Sequence, residues 1–273
     1  MKRFGHVLRA KVVLAAVSLI VVATIVLGIL VIWGPSSYEA FEWESDWAVE
    51  QGFDISIDSE GFQFPTAIAF VPDPGLEAKD PLYFVTELRG QVRVVTNDRS
   101  VITFADNFFS LRTKRVVPEI EEEAGLGGIC LAPSHGYVFV TFSYHDSGNV
   151  LRNNIIRFQT SPQKFSVAPT ARMDFMEIFD TYRASPSHQI GACSIDGEYL
   201  YVSVGDGMQT TQSQVLDSPL GKVLRMTLDG KPISENPFFQ DMEIDNIRNY
   251  VWAYGLRNPF GLAVHGEDVF VAD

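Results

Sequence analysis

The feature that most constrains this chain is a strand of small residues that returns every 60–70 positions. Thr66-Ala-Ile-Ala-Phe70, Gly127-Gly-Ile-Cys-Leu131, Ile190-Gly-Ala-Cys-Ser194 and Phe260-Gly-Leu-Ala-Val264 carry Gly, Ala or Cys at matching places. Each is followed by a turn-rich stretch and then a second alternating strand, at residues 82–86, 137–141, 200–204 and 269–273. A third strand recurs around Arg93, Arg157 and Arg225, which are 64 and 68 residues apart. A unit of this length holding at least three strands reads as one blade of a β-propeller, a fold that closes with about four to eight blades.

The last unit stops at Asp273, at the end of its second strand, so the chain is expected to hold three blades and the inner half of a fourth. An open arc exposes strand edges and half-covered blade faces. We therefore expect an N-terminal part of a longer sequence, or an arc closed by a second chain. First strands crowd around a propeller axis, which explains the small residues. Cys130 and Cys193 obey the same rule, and we read them as two buried thiols rather than a disulfide or a metal site.

Ahead of the repeats lies a different material. Residues 12–33 form an uncharged apolar run of 22 residues, long enough at about 1.5 Å per residue to cross a hydrocarbon core of about 30 Å. The apolar region of a cleaved signal peptide is shorter and ends in small residues, whereas this run ends Val31-Ile32-Trp33-Gly34-Pro35, so an uncleaved anchor is the reading adopted. Lys2, Arg3, Arg9 and Lys11 all precede it and no Lys or Arg follows until Lys79, which puts the N-terminus in the cytoplasm and the propeller outside. The expected division is a basic N-terminus (1–11), a transmembrane anchor (12–33), an acidic linker and first-strand region (34–61) and the partial propeller (62–273). The net charge of −13 removes the usual driving force for sequence-independent nucleic-acid binding.

If the turn between strands one and two lies at one end of each blade, the residues entering strand one and leaving strand two share the other end. Glu123, His188-Gln189 and Arg257-Asn258 enter; Glu87, Asp206 and Asp273 leave. A polar mouth around the axis is the default ligand site. Asp206 leaves its hairpin where His188 enters it, so it can hold one imidazole nitrogen and leave the other as a base. Spacing equally allows His188 to bond a loop and Asp206 to form an Asx-turn before Gly207. Arg257 is a mouth cation or one half of an ion pair between blades. His135 and His265 fall in turns at the far end. No GxGxxG, Walker loop, HExxH or GxSxG is present, which argues against nicotinamide, nucleotide, zinc-protease and serine-hydrolase chemistry.

At these residues the sequence resembles the glucose/sorbosone dehydrogenase family. The resemblance rests on Phe64-Pro-Thr-Ala-Ile-Ala-Phe70, Gly125-Leu-Gly-Gly-Ile129, His188-Gln189, Tyr201-Val-Ser-Val-Gly-Asp-Gly207, Leu220-Gly-Lys-Val-Leu-Arg225 with Asp229-Gly230, Asn236-Pro-Phe238 and Trp252-Ala-Tyr-Gly-Leu-Arg-Asn-Pro259. It implies an all-β, six-bladed propeller that oxidises an aldose at its anomeric carbon, with hydride passing to pyrroloquinoline quinone and calcium holding that cofactor. It also implies His188 as general base, Asp206 as the carboxylate orienting it, Arg257 beside sugar and quinone oxygens, and Asn258 as a cofactor contact. Glu123 and Gln189 are the implied substrate contacts. Glu123 departs from the family, in which quinone-using members can carry Gln, and Ser187 precedes the histidine where others carry Asp. No metal ligand is assigned within the chain, because the family's calcium ligands and quinone-carboxylate cations lie further along than Asp273. The electron acceptor is unassigned. Some relatives only bind or signal, so a non-enzymatic propeller that takes a carbohydrate or protein partner at the same mouth stays open as the alternative.

Overall fold

The computed structural model describes residues 50–106, 123–242, 246–266 and 268–273. The anchor expected at 12–33 lies outside the described residues. Among those described, no helix is long and apolar enough to cross a membrane. The chain divides into a first unit, Met1–Ile57, and a second, Asp58–Asp273, which carries all the strands described below.

Residues of alternating or continuous apolar character, cut by Gly, Pro and Asp turns, fold into antiparallel sheets in chain order. The first sheet is β1 (Pro65–Phe70), β2 (Pro81–Glu87), β3 (Gln91–Thr96) and β4 (Val101–Ala105). The second is β5 (Leu126–Ala132), β6 (Tyr137–His145), β7 (Leu151–Gln159) and β8 (Ala171–Asp174). The third is β9 (Ile190–Asp196), β10 (Tyr199–Val204), β11 (Lys222–Thr227) and β12 (Val251–Tyr254). A two-stranded sheet of β13 (Gly261–His265) and β14 (Asp268–Ala272) ends the chain. The recurrent units are therefore blades of four strands, one more than the repeat disclosed. The first strands β1, β5, β9 and β13 neighbour one another in succession, as the inner strands of a propeller do.

That succession accounts for the small residues in distances. A Cβ on Gly127 would lie 2.5 Å from the Ile190 carbonyl oxygen, and one on Gly128 would lie 2.6 Å from that of Gly191. The same closeness corrects the reading of the cysteines: Cys130 on β5 and Cys193 on β9 form a disulfide, with Cα atoms 5.7 Å apart. Equivalent positions on neighbouring inner strands are within bridging distance because nothing larger than a small side chain separates them. The repeat revealed the equivalence but not the distance.

Larger residues fill the spaces between blades. On β6, Val138, Val140 and Phe142 join Phe84, Val92, Val94 and Phe104 of the first blade in one core cluster. The intervening Phe139 joins Leu200, Val202, Leu224 and Met226 of the third blade in another. The alternation of a strand thus feeds two different cores, which is why β6 reads as a nearly continuous apolar run. The recurrent arginines knit the outer parts. Arg157 lies over the Tyr137 ring, 4.1 Å from its centroid, and its Nη1 donates to the Leu228 carbonyl of the next blade at 2.8 Å and to Asp229. Arg225 repeats the stacking against Tyr199 and Trp252. These are structural arginines.

One irregularity bears on the site. The pairing of first with second strand shifts register between Pro65 and Ala67, between Leu126 and Gly128, and between Val202 and Val204. All three shifts fall at the same end of the blade, where the chain enters strand one. Such bulges end regular pairing and re-aim side chains.

Candidate functional site

The site is built where the bulged end of the third sheet meets the loop that enters the fourth. His188 sits just before β9 with φ of +55°, a left-handed conformation unfavourable for a residue with a Cβ. Its backbone is held at both ends. The His188 N–H donates to Glu123 Oε2 at 2.9 Å, and its carbonyl accepts from Gly207 N at 3.2 Å. Gly205 has to be glycine here, since a Cβ would lie 2.3 Å from the His188 carbonyl oxygen.

On that backbone the ring reaches the Asp206 carboxylate. His188 Nδ1 lies 2.7 Å from Asp206 Oδ1, with Asp206 fully buried and His188 at 7% exposure. The carboxylate can only accept, so Nδ1 carries the proton and donates it, leaving Nε2 with a free lone pair. Nε2 has no hydrogen-bond partner among the described residues. Asp206 Oδ1 also accepts from the Met208 N–H at 2.8 Å. Both sequence readings of Asp206 are thus true together: one oxygen forms the Asx-turn and orients the imidazole. The other oxygen, Oδ2, is buried without a partner. Met208, strained at φ +61°, remains 61% exposed beside the pair.

The Asp206 N–H donates to the Arg257 carbonyl at 2.8 Å, which brings the arginine loop to the same end of the blades. The Arg257 and Asn258 N–H groups both donate to Asp273 Oδ1, at 2.9 and 2.7 Å. The Arg257 side chain is exposed, and among the described residues its guanidinium has no ion-pair partner. Glu123 is exposed but commits one carboxylate oxygen to the His188 backbone. Gln189 has a different partner from its neighbour His188. Its Oε1 accepts from Ser143 Oγ, which stands beside Asn153 Oδ1 at 3.0 Å, and its Nε2 is buried without a partner. The structure therefore joins His188, Asp206, Glu123 and the Arg257 backbone in one network, and gives Gln189 to the seam between the second and third blades. His135 lies in the β5–β6 turn at the opposite end, bonded to Ser134. Among the described residues no group of three or more His, Cys, Asp or Glu could hold a metal ion.

Sequence reasoning passed over Lys222. It is fully buried, and its Nζ donates to the carbonyls of Gln212 (3.0 Å), Ser213 (2.9 Å) and Leu220 (2.6 Å). Burial pushes its ammonium down to about 8. The signal available was a lysine directly before the apolar run Val223-Leu224, quoted only as part of a motif.

The glucose/sorbosone dehydrogenase family model matches residues 62–272. The chain belongs to that family. The aldose sugar dehydrogenase YliI of Escherichia coli K12 is 35% identical over 80 residues, covering 29% of this chain and 21% of YliI. Among solved structures, an oxidoreductase of Thermus thermophilus described as a glucose dehydrogenase is 26% identical, with a TM-score of 0.58, over 78% of this chain and 58% of that one. The PQQ-bound aldose sugar dehydrogenase of Streptomyces coelicolor is 25% identical, with a TM-score of 0.58, over 80% of this chain and 58% of that one. The chain thus spans less than two thirds of the length of these relatives. The match to their structures agrees with the propeller arrangement read from the strands.

Proposed function

We propose that these residues form the first part of a six-bladed, quinone-dependent dehydrogenase that oxidises an aldose at its anomeric carbon. The observation that carries the reading is the buried His188–Asp206 pair, joined through the backbone to the Arg257 loop, with neither His188 Nε2 nor the guanidinium bonded among the described residues. A base with an oriented imidazole, a cation carried on a held backbone and an amide on Asn258 form a set suited to a sugar hydroxyl and the carbonyl oxygens of an ortho-quinone, so the residues present fit the group. Pyrroloquinoline quinone, when bound, supplies the acceptor for hydride from the anomeric carbon. His188 Nε2 takes the proton of the anomeric hydroxyl. Asp206 keeps Nδ1 protonated and favours the imidazolium that results. Arg257 and Asn258 bind and orient oxygens at the mouth, and Glu123 fixes the backbone from which His188 projects while its second oxygen is available to the sugar. In this proposal calcium serves the cofactor through residues not among those described, and the apolar run at 12–33 anchors an extracytoplasmic propeller. The Cys130–Cys193 disulfide favours an oxidising compartment, which supports that placement.

The test is dye reduction by the chain joined to whatever sequence follows it, with an aldose and with quinone and calcium supplied or withheld. Reduction that requires both and is lost in Arg257→Ala supports the reading. No quinone binding and no dye reduction would leave a carbohydrate-binding propeller in its place.

A further inference from the structure

Lys222 is the one fully buried cation whose partners are all carbonyls rather than carboxylates among the described residues. All three acceptors lie in the connection between β10 and β11, the segment that begins with Gly205 and Asp206. Two of them, Gln212 and Ser213, belong to a short 3-10 turn, Thr210–Gln214. From Ser213 the contacts pass directly to the arginine loop. Its carbonyl also accepts the Gly255 N–H at 3.0 Å, and its Oγ donates to the Leu256 carbonyl at 2.8 Å. Gly221, next to the lysine, completes the junction. Its carbonyl accepts from Gly255 and Leu256, and its N–H donates to the Gly205 carbonyl, each at 3.1 Å. The approach is so close that a Cβ on Gly221 would lie 2.5 Å from the Leu256 oxygen.

We infer that Lys222 is a positioning residue of the mouth, the buried peg that holds the Asp206 loop and the Arg257 loop in one rigid body. A buried ammonium must find acceptors for its three protons, and it finds them in one loop whose own carbonyls have no strand to bond to. A hydrophobic side chain of equal length would fill the same space and leave the carbonyls of Gln212 and Leu220 without this donor. The Thr210–Gln214 turn would then be free to move, and with it the Gly255–Leu256 segment one residue from Arg257. Its bearing on catalysis rests on the dehydrogenase reading; its mechanical role does not.

Hydrogen exchange on the 273-residue chain reads that role without turnover. In Lys222→Met the amides of Asp206, Gly255 and Leu256 should exchange about tenfold faster or more, while those of β6 and β7 keep their protection. Unchanged exchange at the three amides would overturn the inference, and so would equal acceleration throughout every sheet. Should the variant fail to fold, the unsubstituted chain still decides. A slowly exchanging lysine ammonium coupled to the carbonyl carbons of Gln212, Ser213 and Leu220 supports the peg, and its absence refutes it. A silent dye assay with the exchange pattern as expected would sink only the dehydrogenase reading.

Discussion

Asp206 and Asp273 occupy the same place on successive blades, the exit of strand two, yet one grips an imidazole and the other a pair of backbone N–H groups. Asp273 accepts from Arg257 and Asn258, and Glu87 on the first blade likewise accepts the Gln63 N–H at 2.9 Å. The carboxylate that leaves strand two therefore clasps the loop entering strand one on the first and fourth blades. On the third blade the carboxylate takes the His188 ring, in the loop entering strand one, while its backbone contact is the local turn to Met208. On the third blade the same carboxylate position holds an imidazole, and that departure from its neighbours marks the candidate site.

The first prediction follows from that clasp. In the complete protein, His188→Ala should lower kcat by about 10²–10⁴, the usual contribution of a general base, with KM changed far less. Asp206→Asn should lose much of the same rate, since an amide nitrogen facing Nδ1 favours the wrong tautomer. Steady-state dye-reduction kinetics check both; full activity in His188→Ala would remove the base from the mechanism.

The disulfide makes a second. It joins residues 63 apart, and chain-entropy reasoning assigns a bridge of that span about 4 kcal/mol. Cys130→Ser with Cys193→Ser, or reduction, should lower the free energy of unfolding by an amount of that order in a denaturant titration. Thiol titration of the unreduced, denatured chain should find no free cysteine; two reactive thiols would contradict the bridge.

Gly205 supports a third. An added methyl meets the His188 carbonyl at 2.3 Å, with backbone rather than a yielding side chain as the obstacle. Gly205→Ala should cost about 1–3 kcal/mol, typical of overpacking, and should displace His188. The loss is read as a lowered Tm; an unchanged Tm would mean that the β10 end can move aside at no cost.

Lys222 gives the pH dependence. Burial brings its ammonium to about 8, whereas in the unfolded chain a lysine keeps its proton to about 10.4. Between those values the unfolded state binds more protons than the folded one, so this residue makes stability rise with pH through the window and leaves it flat below about 8. The check is the difference in unfolding free energy between the native chain and Lys222→Met, followed from about pH 7 to about 10.5. It should climb in favour of the native chain above about 8; a constant difference would show that the ammonium is not buried as described.

Much of the mouth was legible before any coordinates, because a repeat that alternates strand and turn fixes which residues share an end. Entering and leaving positions could be paired by counting, and His188 with Asp206 was found that way. The fourth strands were not found: β8 (Ala171–Asp174) and β12 (Val251–Tyr254) are short, and β8 is largely exposed, so neither leaves a strong period-two pattern. The hydrogen bond from Ser143 to the Gln189 amide oxygen was not legible, because it joins residues 46 apart on neighbouring blades.

The module, its period, the smallness of its inner strands and the end at which the polar residues collect are written in the order of the residues. They follow from chain connectivity and steric size, which are local properties. That Cys130 meets Cys193, that Glu123 holds the His188 backbone and that Lys222 directs its charge to three carbonyls comes from the packed fold. Those are distances between segments 63, 65 and up to 10 residues apart, set by how closely blades and loops approach. No spacing rule encodes such an approach, because it is the packed interior that brings the atoms within reach.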